Sequence, residues 1–250
     1  MNHKNQIGLG NQENNNSPNL DTLICLKDVT KQYRIGAVTI RALNGINLAI
    51  NSGEFVAITG PSGSGKSTVM NLLGCLDGPT SGNYFLQGVN VSGLSDRALS
   101  NIRNKQIGFV FQTYNLLPRL SAVENVELPL VYAGESRRRE KALNILERVG
   151  LKERSYHRPS ELSGGQQQRA GIARALVTDP TILLADEPSG NLDSRTTKEI
   201  LDLISGLNAD YGQTIILVTH EAEVAARASR QIHMVDGLIV RDTADAAMEG

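Results

Sequence analysis

The sequence predicts an α/β domain built on a mostly parallel sheet, and three observations carry that prediction. Short apolar runs at Phe55–Thr59, Thr181–Ala185 and Thr214–Thr219 have the length and continuity of strands buried on both faces. Segments with helical periodicity or helix start and stop signals lie between them. A glycine-rich loop, Gly60–Gly65, joins the first run to a helix, as in strand–loop–helix units. The 250 residues can bury a substantial core.

The elements follow in order. Residues 1–21 form a polar tail with Asn14, Asn15 and Asn16 in a row. It has too little apolar surface to offset chain entropy and is expected to be disordered. Leu23–Val29 and Thr39–Ile50 alternate apolar and polar residues as strands do. A turn at 51–54 leads into Phe55–Thr59. After the glycine loop, Val69, Leu72, Leu73 and Leu76 fall at i, i+3, i+4 and i+7, one apolar helix face. Tyr84–Leu86 and Ile107–Phe111 read as strands. Residues 94–106 and about 117–158 are charged and helical in pattern, with an amphipathic helix over Glu135–Glu153 that buries Ala142, Leu143, Ile145 and Leu146. A helix follows Ser163 and stops before Asp179-Pro180. Another covers 194–210, and Gln231–Val235 with Leu238–Arg241 form a hairpin about Asp236-Gly237. The folded part, 22–250, divides into an α/β portion at 22–90 and 160–245 and a helical subdomain at about 91–159.

Composition excludes several classes of function. Twenty-five Lys and Arg oppose 26 Asp and Glu, a net charge of −1, which argues against a general nucleic-acid binder. Cys25 and Cys75 are too few for a disulfide framework and read as cytosolic thiols, one of them buried. No apolar run approaches the roughly 18 residues of a membrane span, and the polar N-terminus carries no secretory signal.

Gly60-Pro61-Ser62-Gly63-Ser64-Gly65-Lys66-Ser67-Thr68 fits the pattern G-x-x-x-x-G-K-[ST]. Glycines let successive N–H groups turn inward around an anion, and the helix N-terminus adds free donors and a favourable dipole. Lys66 supplies a charge to the β/γ-phosphates, and the Ser67 hydroxyl suits Mg²⁺. A plain capping loop is the alternative; the strand before and helix after favour phosphate. The strand ending in Asp186-Glu187 places carboxylates at the carboxyl end of the sheet, where ligands of open α/β sheets bind. Asp186 suits Mg²⁺, and Glu187 suits polarisation of a water. Leu162-Ser163-Gly164-Gly165-Gln166 offers an N-cap and bare N–H groups at a second helix start. One nucleotide already fills the first loop, so a second anion site suggests a site completed by another subunit.

At these motifs the sequence resembles the nucleotide-binding subunits of ABC transporters, over about residues 23–245. The matching residues are Gly60–Thr68, Gln112 in Phe111-Gln112-Thr113, Leu162–Gln166 and Ile182–Asp186 with Glu187. Ser189-Gly190-Asn191-Leu192-Asp193 and His220 complete the set, and Tyr33 stands where the family has an adenine-stacking aromatic. The resemblance implies an ABC-type P-loop fold with an antiparallel β subdomain beside the helical one. It also implies ATP and Mg²⁺ as ligands, with Ser67, Gln112 and Asp186 at the metal. Two copies would pair head to tail, each ATP lying between one P-loop and the partner's Ser163–Gln166. Glu187 would be the general base, His220 would steady the γ-phosphate, Gln112 would sense a membrane partner, and Asp193 would couple the two sites.

The strings 115–118, 127–133 and 159–169 are similar to the branch that includes macrolide-export and lipoprotein-release ATPases. That branch implies a separate integral permease with few spans, docked at Gln112–Leu120, and a peripheral place on the cytoplasmic face of the inner membrane. No appended regulatory domain is expected beyond the hairpin, which weighs toward export. Ala170-Gly171 and Ser189 depart from the usual residues without touching a catalytic atom. A soluble ABC ATPase with no membrane partner is the alternative; such proteins usually carry two cassettes or a long coiled-coil insertion. Tyr33 as a strand-edge aromatic and His220 as a helix cap stay open as plainer readings, and Arg137-Arg138-Arg139 reads as a solvated helix face.

Overall fold

The computed structural model describes residues 22–246; the tail expected over 1–21 lies outside the described residues. The chain opens with β1 (Thr22–Ile35) and β2 (Val38–Asn51), paired antiparallel. Both extend beyond the alternating stretches that predict them. From Ile35 to Arg41 every side chain is exposed, so the tip of this hairpin has no buried face to impose a pattern. Next come β3 (Phe55–Thr59), α1 (Lys66–Leu73), β4 (Ser81–Leu86) and β5 (Val89–Asn90). Then follow α2 (Asp96–Gln106), β6 (Ile107–Val110), α3 (Ala122–Tyr132) and α4 (Arg138–Arg148). The remainder is α5 (Gly164–Leu176), β7 (Ile182–Asp186), α6 (Ser194–Tyr211), β8 (Thr214–Val218), α7 (Ala222–Ala225), β9 (Arg230–Val235), β10 (Leu238–Asp242) and α8 (Thr243–Ala246).

Two sheets form. One is antiparallel, in the order β2-β1-β4-β5; the other runs β10-β9-β3-β8-β7-β6. Within the second, β9, β3, β8, β7 and β6 are parallel neighbours, and β10 closes it as an antiparallel edge. The period-two alternation of strands sorts its residues into two cores. Val56, Ile58, Ile182, Leu184, Ile216 and Val218 pack with α1 and the antiparallel sheet. Ala57, Leu183, Ala185, Ile215 and Leu217 pack with α3, α4, α5 and α6 on the opposite face. β6 joins this sheet beside β7, inside the stretch whose other elements are helical.

Two sequence expectations are corrected. The first helix ends at Leu73, Gly74 caps it, and Cys75 takes a positive φ of 52°. Leu76 therefore leaves the helix and is 52% exposed rather than part of its apolar face. The amphipathic helix expected over Glu135–Glu153 is shorter, Arg138–Arg148. At its start the Glu135 carboxylate accepts the Arg137 N–H (3.2 Å). At its end Gly150 turns the chain at φ 76°. Ala142, Ile145 and Leu146 are buried as expected, whereas Leu143 is only half-buried at the edge of the same core.

The sheets are fastened by Arg230. Its guanidinium donates twice to Asp242 (2.9 and 2.6 Å), once to Glu54 (2.8 Å) and once to the Ala49 carbonyl of β2 (2.8 Å). Asp242's hydrogen bond, then Glu54's, outweigh the effect of burial and hold the arginine above its ordinary range. Burial pushes the Asp242 carboxyl up, but the Arg230 and Ala244 donors overcome it and leave it below the usual carboxylate value.

Candidate functional site

The glycine loop leaves β3 at Gly60 (φ 144°) and enters α1 at Gly65 (φ 101°), conformations that disfavour a side chain. Close approach adds a second reason. A Cβ on Gly60 would lie 2.2 Å from the Met234 carbonyl oxygen, and one on Gly65 2.7 Å from that of Ala42. The loop is thus wedged between β2 and β9. Gly65 caps α1 without a side-chain hydrogen bond, so the first N–H groups of the helix face outward as anion donors. Lys66 folds back over the loop, its Nζ donating to the carbonyls of Gly60 (2.8 Å) and Pro61 (2.9 Å). Ser64 is buried, while Pro61, Ser62, Gly63 and Ser67 are exposed.

β7 ends beside this loop because β8 alone separates it from β3. Burial raises the Asp186 carboxyl, the neighbouring Glu187 charge raises it further, and Lys66 opposes both. Glu187 adopts φ 47°, a strained conformation of the kind found at functional sites. Its Oε1 lies 2.6 Å from His220 Nδ1, while Oε2 is buried with no partner. That hydrogen bond and the carboxylate charge raise the imidazole's pKa, and Lys66 lowers it. Lys66, Asp186, Glu187 and His220 therefore share one electrostatic environment. The direct Glu187–His220 contact is one that the sequence did not announce.

Tyr33 stands on β1, half-buried. Its hydroxyl donates to Asp77 Oδ2 (2.9 Å), and Lys31 Nζ sits 5.0 Å from the ring centre while also bonding Asp77 Oδ1 (2.5 Å). Burial and the Asp77 contact raise the phenol's pKa, and a hydrogen bond with Thr68 lowers it. Thr68, in the first turn of α1, thus neighbours the phenol. Lys31 and Asp77 form a support that carries no motif in the sequence.

Gln112 follows β6. A Cβ on Gly190 would fall 2.6 Å from Gln112 Nε2, and Asn191 Nδ2 donates to the Gln112 carbonyl (3.1 Å). Gln112 thus lies against the 189–193 loop of its own chain. Asp193 caps α6, its Oδ1 accepting the N–H groups of Arg195 and Thr196 and its Oδ2 the Thr196 hydroxyl. The Thr196 N–H and hydroxyl, ahead of the opposing effect of desolvation, keep that carboxylate below its usual pKa.

Ser163 caps α5 in a reciprocal box: Oγ accepts the Gln166 N–H (3.3 Å) and Gln166 Oε1 accepts the Ser163 N–H (3.0 Å). Gly164 and Gly165 have a further cause. A Cβ on Gly164 would lie 3.0 Å from the Tyr114 hydroxyl and 3.3 Å from Leu192 Cδ2; one on Gly165, 2.3 Å from Thr196 Cγ2. These neighbours differ from those of Gly60 and Gly65. Tyr114 (φ 60°) and Asn115 (φ 50°) are consecutive left-handed residues. Arg174 holds both, donating to the carbonyls of Tyr114 (2.9 Å) and Asn115 (2.5 Å).

The residues present fit Mg²⁺. Ser67, Gln112 and Asp186 offer hard oxygen donors, a sparse protein set of the kind that holds this ion together with substrate phosphates. Among the described residues, no helix is long and apolar enough to cross a membrane.

The profile of the ABC transporter family matches residues 43–190. The macrolide export ATP-binding/permease protein MacB of Hyphomonas neptunium is 56% identical over 223 residues, 88% of this chain and 34% of that protein. The chain therefore spans about a third of that relative. The ABC transporter ATP-binding protein YknY of Bacillus subtilis is 53% identical over 87% of this chain and 95% of its own length. Among solved structures, the dimeric MJ0796 cassette of a bacterial ABC transporter superposes with a TM-score of 0.81 at 48% identity, covering 88% of this chain and 97% of that one. The MJ0796 dimer in a post-hydrolysis state with ADP and Pi gives 0.80 at 47% identity, with the same coverage.

Proposed function

The chain belongs to the ABC transporter family, and on that basis we propose that it binds and hydrolyses ATP to power a separate membrane permease of the export or lipoprotein-release type. One observation carries the hydrolytic part. Glu187 has one carboxylate oxygen held by His220 and the other buried and unengaged, beside Lys66 and Asp186. Such a carboxylate is oriented by one oxygen and keeps the other free of protein donors, able to take a proton from a water admitted to it with the nucleotide.

The roles divide by position. The N–H groups of Gly60–Gly65 and the start of α1 cradle the phosphates, Lys66 offsets their charge, and Thr68 belongs to the same first turn. Tyr33 offers a ring face to the adenine, braced by Lys31 and Asp77. Glu187 takes the proton of the attacking water, and His220 holds Glu187 and reaches the γ-phosphate. Mg²⁺, when bound by Ser67, Asp186 and Gln112, neutralises phosphate charge. Ser163, Gly164, Gly165 and Gln166 serve the ATP of a second copy packed head to tail, with Asp193 near the junction. That pairing agrees with a segment whose glycines contact Leu192 and Thr196 rather than its own P-loop.

The permease docks at Gln112–Leu120, whose Asn115 lines a groove of about 650 Å³ together with Leu76, Phe109, Phe111, Tyr132 and Arg174, where the helices meet the sheet edge. Tyr132 is 83% exposed there. A peripheral position on the cytoplasmic face follows from such docking. The test uses two variants. Lys66→Ala should abolish hydrolysis. Glu187→Gln should keep ATP binding, lose about 10²-fold or more in turnover, and form an ATP-dependent dimer on sizing. Normal turnover by either variant, or a monomer at saturating ATP and Mg²⁺, would refute the reading.

A further inference from the structure

Gln168 is fully buried on the face of α5 that carries Gly165 and Ile172. Its Nε2 donates to the Pro188 carbonyl at 2.7 Å. A carbonyl only accepts, so the amide nitrogen must face it. That leaves Oε1 buried without a partner. A methionine of similar size would carry no orphaned oxygen but would leave the carbonyl of buried Pro188 without this donor, so the case for the amide rests on its donating end.

That end holds the turn presenting Glu187. The turn is strained twice over: Glu187 has a left-handed φ, and it precedes a proline, whose ring steers the preceding residue toward extended backbone. Besides the His220 contact with the Glu187 carboxylate, three hydrogen bonds hold the backbone of Glu187 and Pro188. The Glu187 N–H donates to Val218 (2.9 Å), the Gly190 N–H donates to Glu187 (3.0 Å), and Gln168 donates to Pro188. Only the third comes from a side chain, and it comes from α5.

We propose that Gln168 is a positioning residue for hydrolysis. It holds Glu187 in its strained conformation through the Pro188 carbonyl and ties it to the helix that begins with Ser163–Gln166. This rests on the reading of Glu187 as general base. In the head-to-tail pair, the start of α5 meets one ATP while Gln168 acts on the Glu187 that serves the other. A shift of α5 on closure is thereby felt at both sites.

The test is steady-state ATP hydrolysis by the full chain. Gln168→Met removes the donor, and kcat should fall about 10-fold, or ~1.4 kcal/mol. The KM for ATP should stay within about 2-fold. Gln168→Glu supplies a sharper readout. A neutral carboxyl can donate to Pro188, whereas an ionised one repels it. Burial raises a carboxyl's pKa, so the kcat of Gln168→Glu relative to the parent should climb as pH falls below neutral. Gln167→Met, which loses only a 3.2 Å bond to the Leu162 carbonyl, should keep the parent kcat. Parental kcat in Gln168→Met, a change confined to KM, or a flat Gln168→Glu ratio overturns the role. Should Gln168→Met fail to fold, the pH profile of Gln168→Glu decides alone. A parent chain no faster than Lys66→Ala overturns the Glu187 reading itself, a distinct result.

Discussion

Replacing Arg230 by methionine removes the fastener between the sheets while keeping much of the side chain's bulk. Four charge-assisted bonds disappear, and two carboxylates lose their counter-charge. The side chains concerned are 14% (Arg230), 22% (Glu54) and 9% (Asp242) exposed, so water screens them little. Breaking a buried pair by removing one partner costs about 3–5 kcal/mol; because Glu54 keeps some solvent, ~3 kcal/mol is the working figure. For a domain of this size that corresponds to a fall in Tm of roughly 6–12 °C. Arg230→Lys keeps the charge but cannot span Asp242, Glu54 and the Ala49 carbonyl together, so its loss should be intermediate. The pH dependence has a definite sign. Asp242 titrates lower in the folded protein than in the unfolded chain. Its contribution is therefore present above the unfolded value of about 3.9 and fades as pH drops through the folded value. Urea unfolding of parent and Arg230→Met, at neutral and strongly acid pH, reads both effects. A difference below about 1 kcal/mol at neutral pH, the scale of an exposed ion pair, would refute the reasoning.

Two further perturbations probe the pairing and the docking groove. Gly165→Ala should press on Thr196 Cγ2 and disturb the α6 cap, weakening ATP-driven dimerisation of the Glu187→Gln protein about 10-fold, or ~1.4 kcal/mol. Adding Thr196→Ser removes that methyl and should restore the dimer; analytical ultracentrifugation reads both, and an unaffected single variant would contradict the packing argument. Tyr132→Asp should release the chain from its permease, since an exposed tyrosine anchor is worth about 2 kcal/mol or more at an interface. Retention of the cassette in the membrane fraction is the measurement, and undiminished retention counts against the groove.

The legible parts of this fold are those where burial dictates the residue pattern. β3, β7 and β8 are buried on both faces, so their apolar runs mark them nearly to the residue. The hairpin tip of β1 and β2 is exposed, so nothing in its sequence distinguishes strand from loop. The four-residue α7 and two-residue β5 are too short to show a period. At the site, the backbone-built parts were readable because their chemistry constrains several residues at once. The side-chain braces were not. Lys31 and Asp77 meet across 46 positions, and His220 meets Glu187 across 33. Gln168 hides among three consecutive glutamines, and its i+3 spacing from Gly165 and i+4 spacing to Ile172 was the available signal.

The thirteen residues of α5 make a rod of ~20 Å. One end carries the cap formed by Ser163 and Gln166, and near the other Arg174 grips Tyr114 and Asn115 at the docking groove. Tyr114 lies alongside, so its hydroxyl returns to Gly164. A rod held at both ends works as a lever. Tilting it by about 5° moves one end relative to the other by roughly 2 Å, more than the whole distance window of a hydrogen bond. On the proposed docking, a push at the groove that tilted α5 as a rigid rod would displace its far end by that distance, with no residue in between needing to change its conformation.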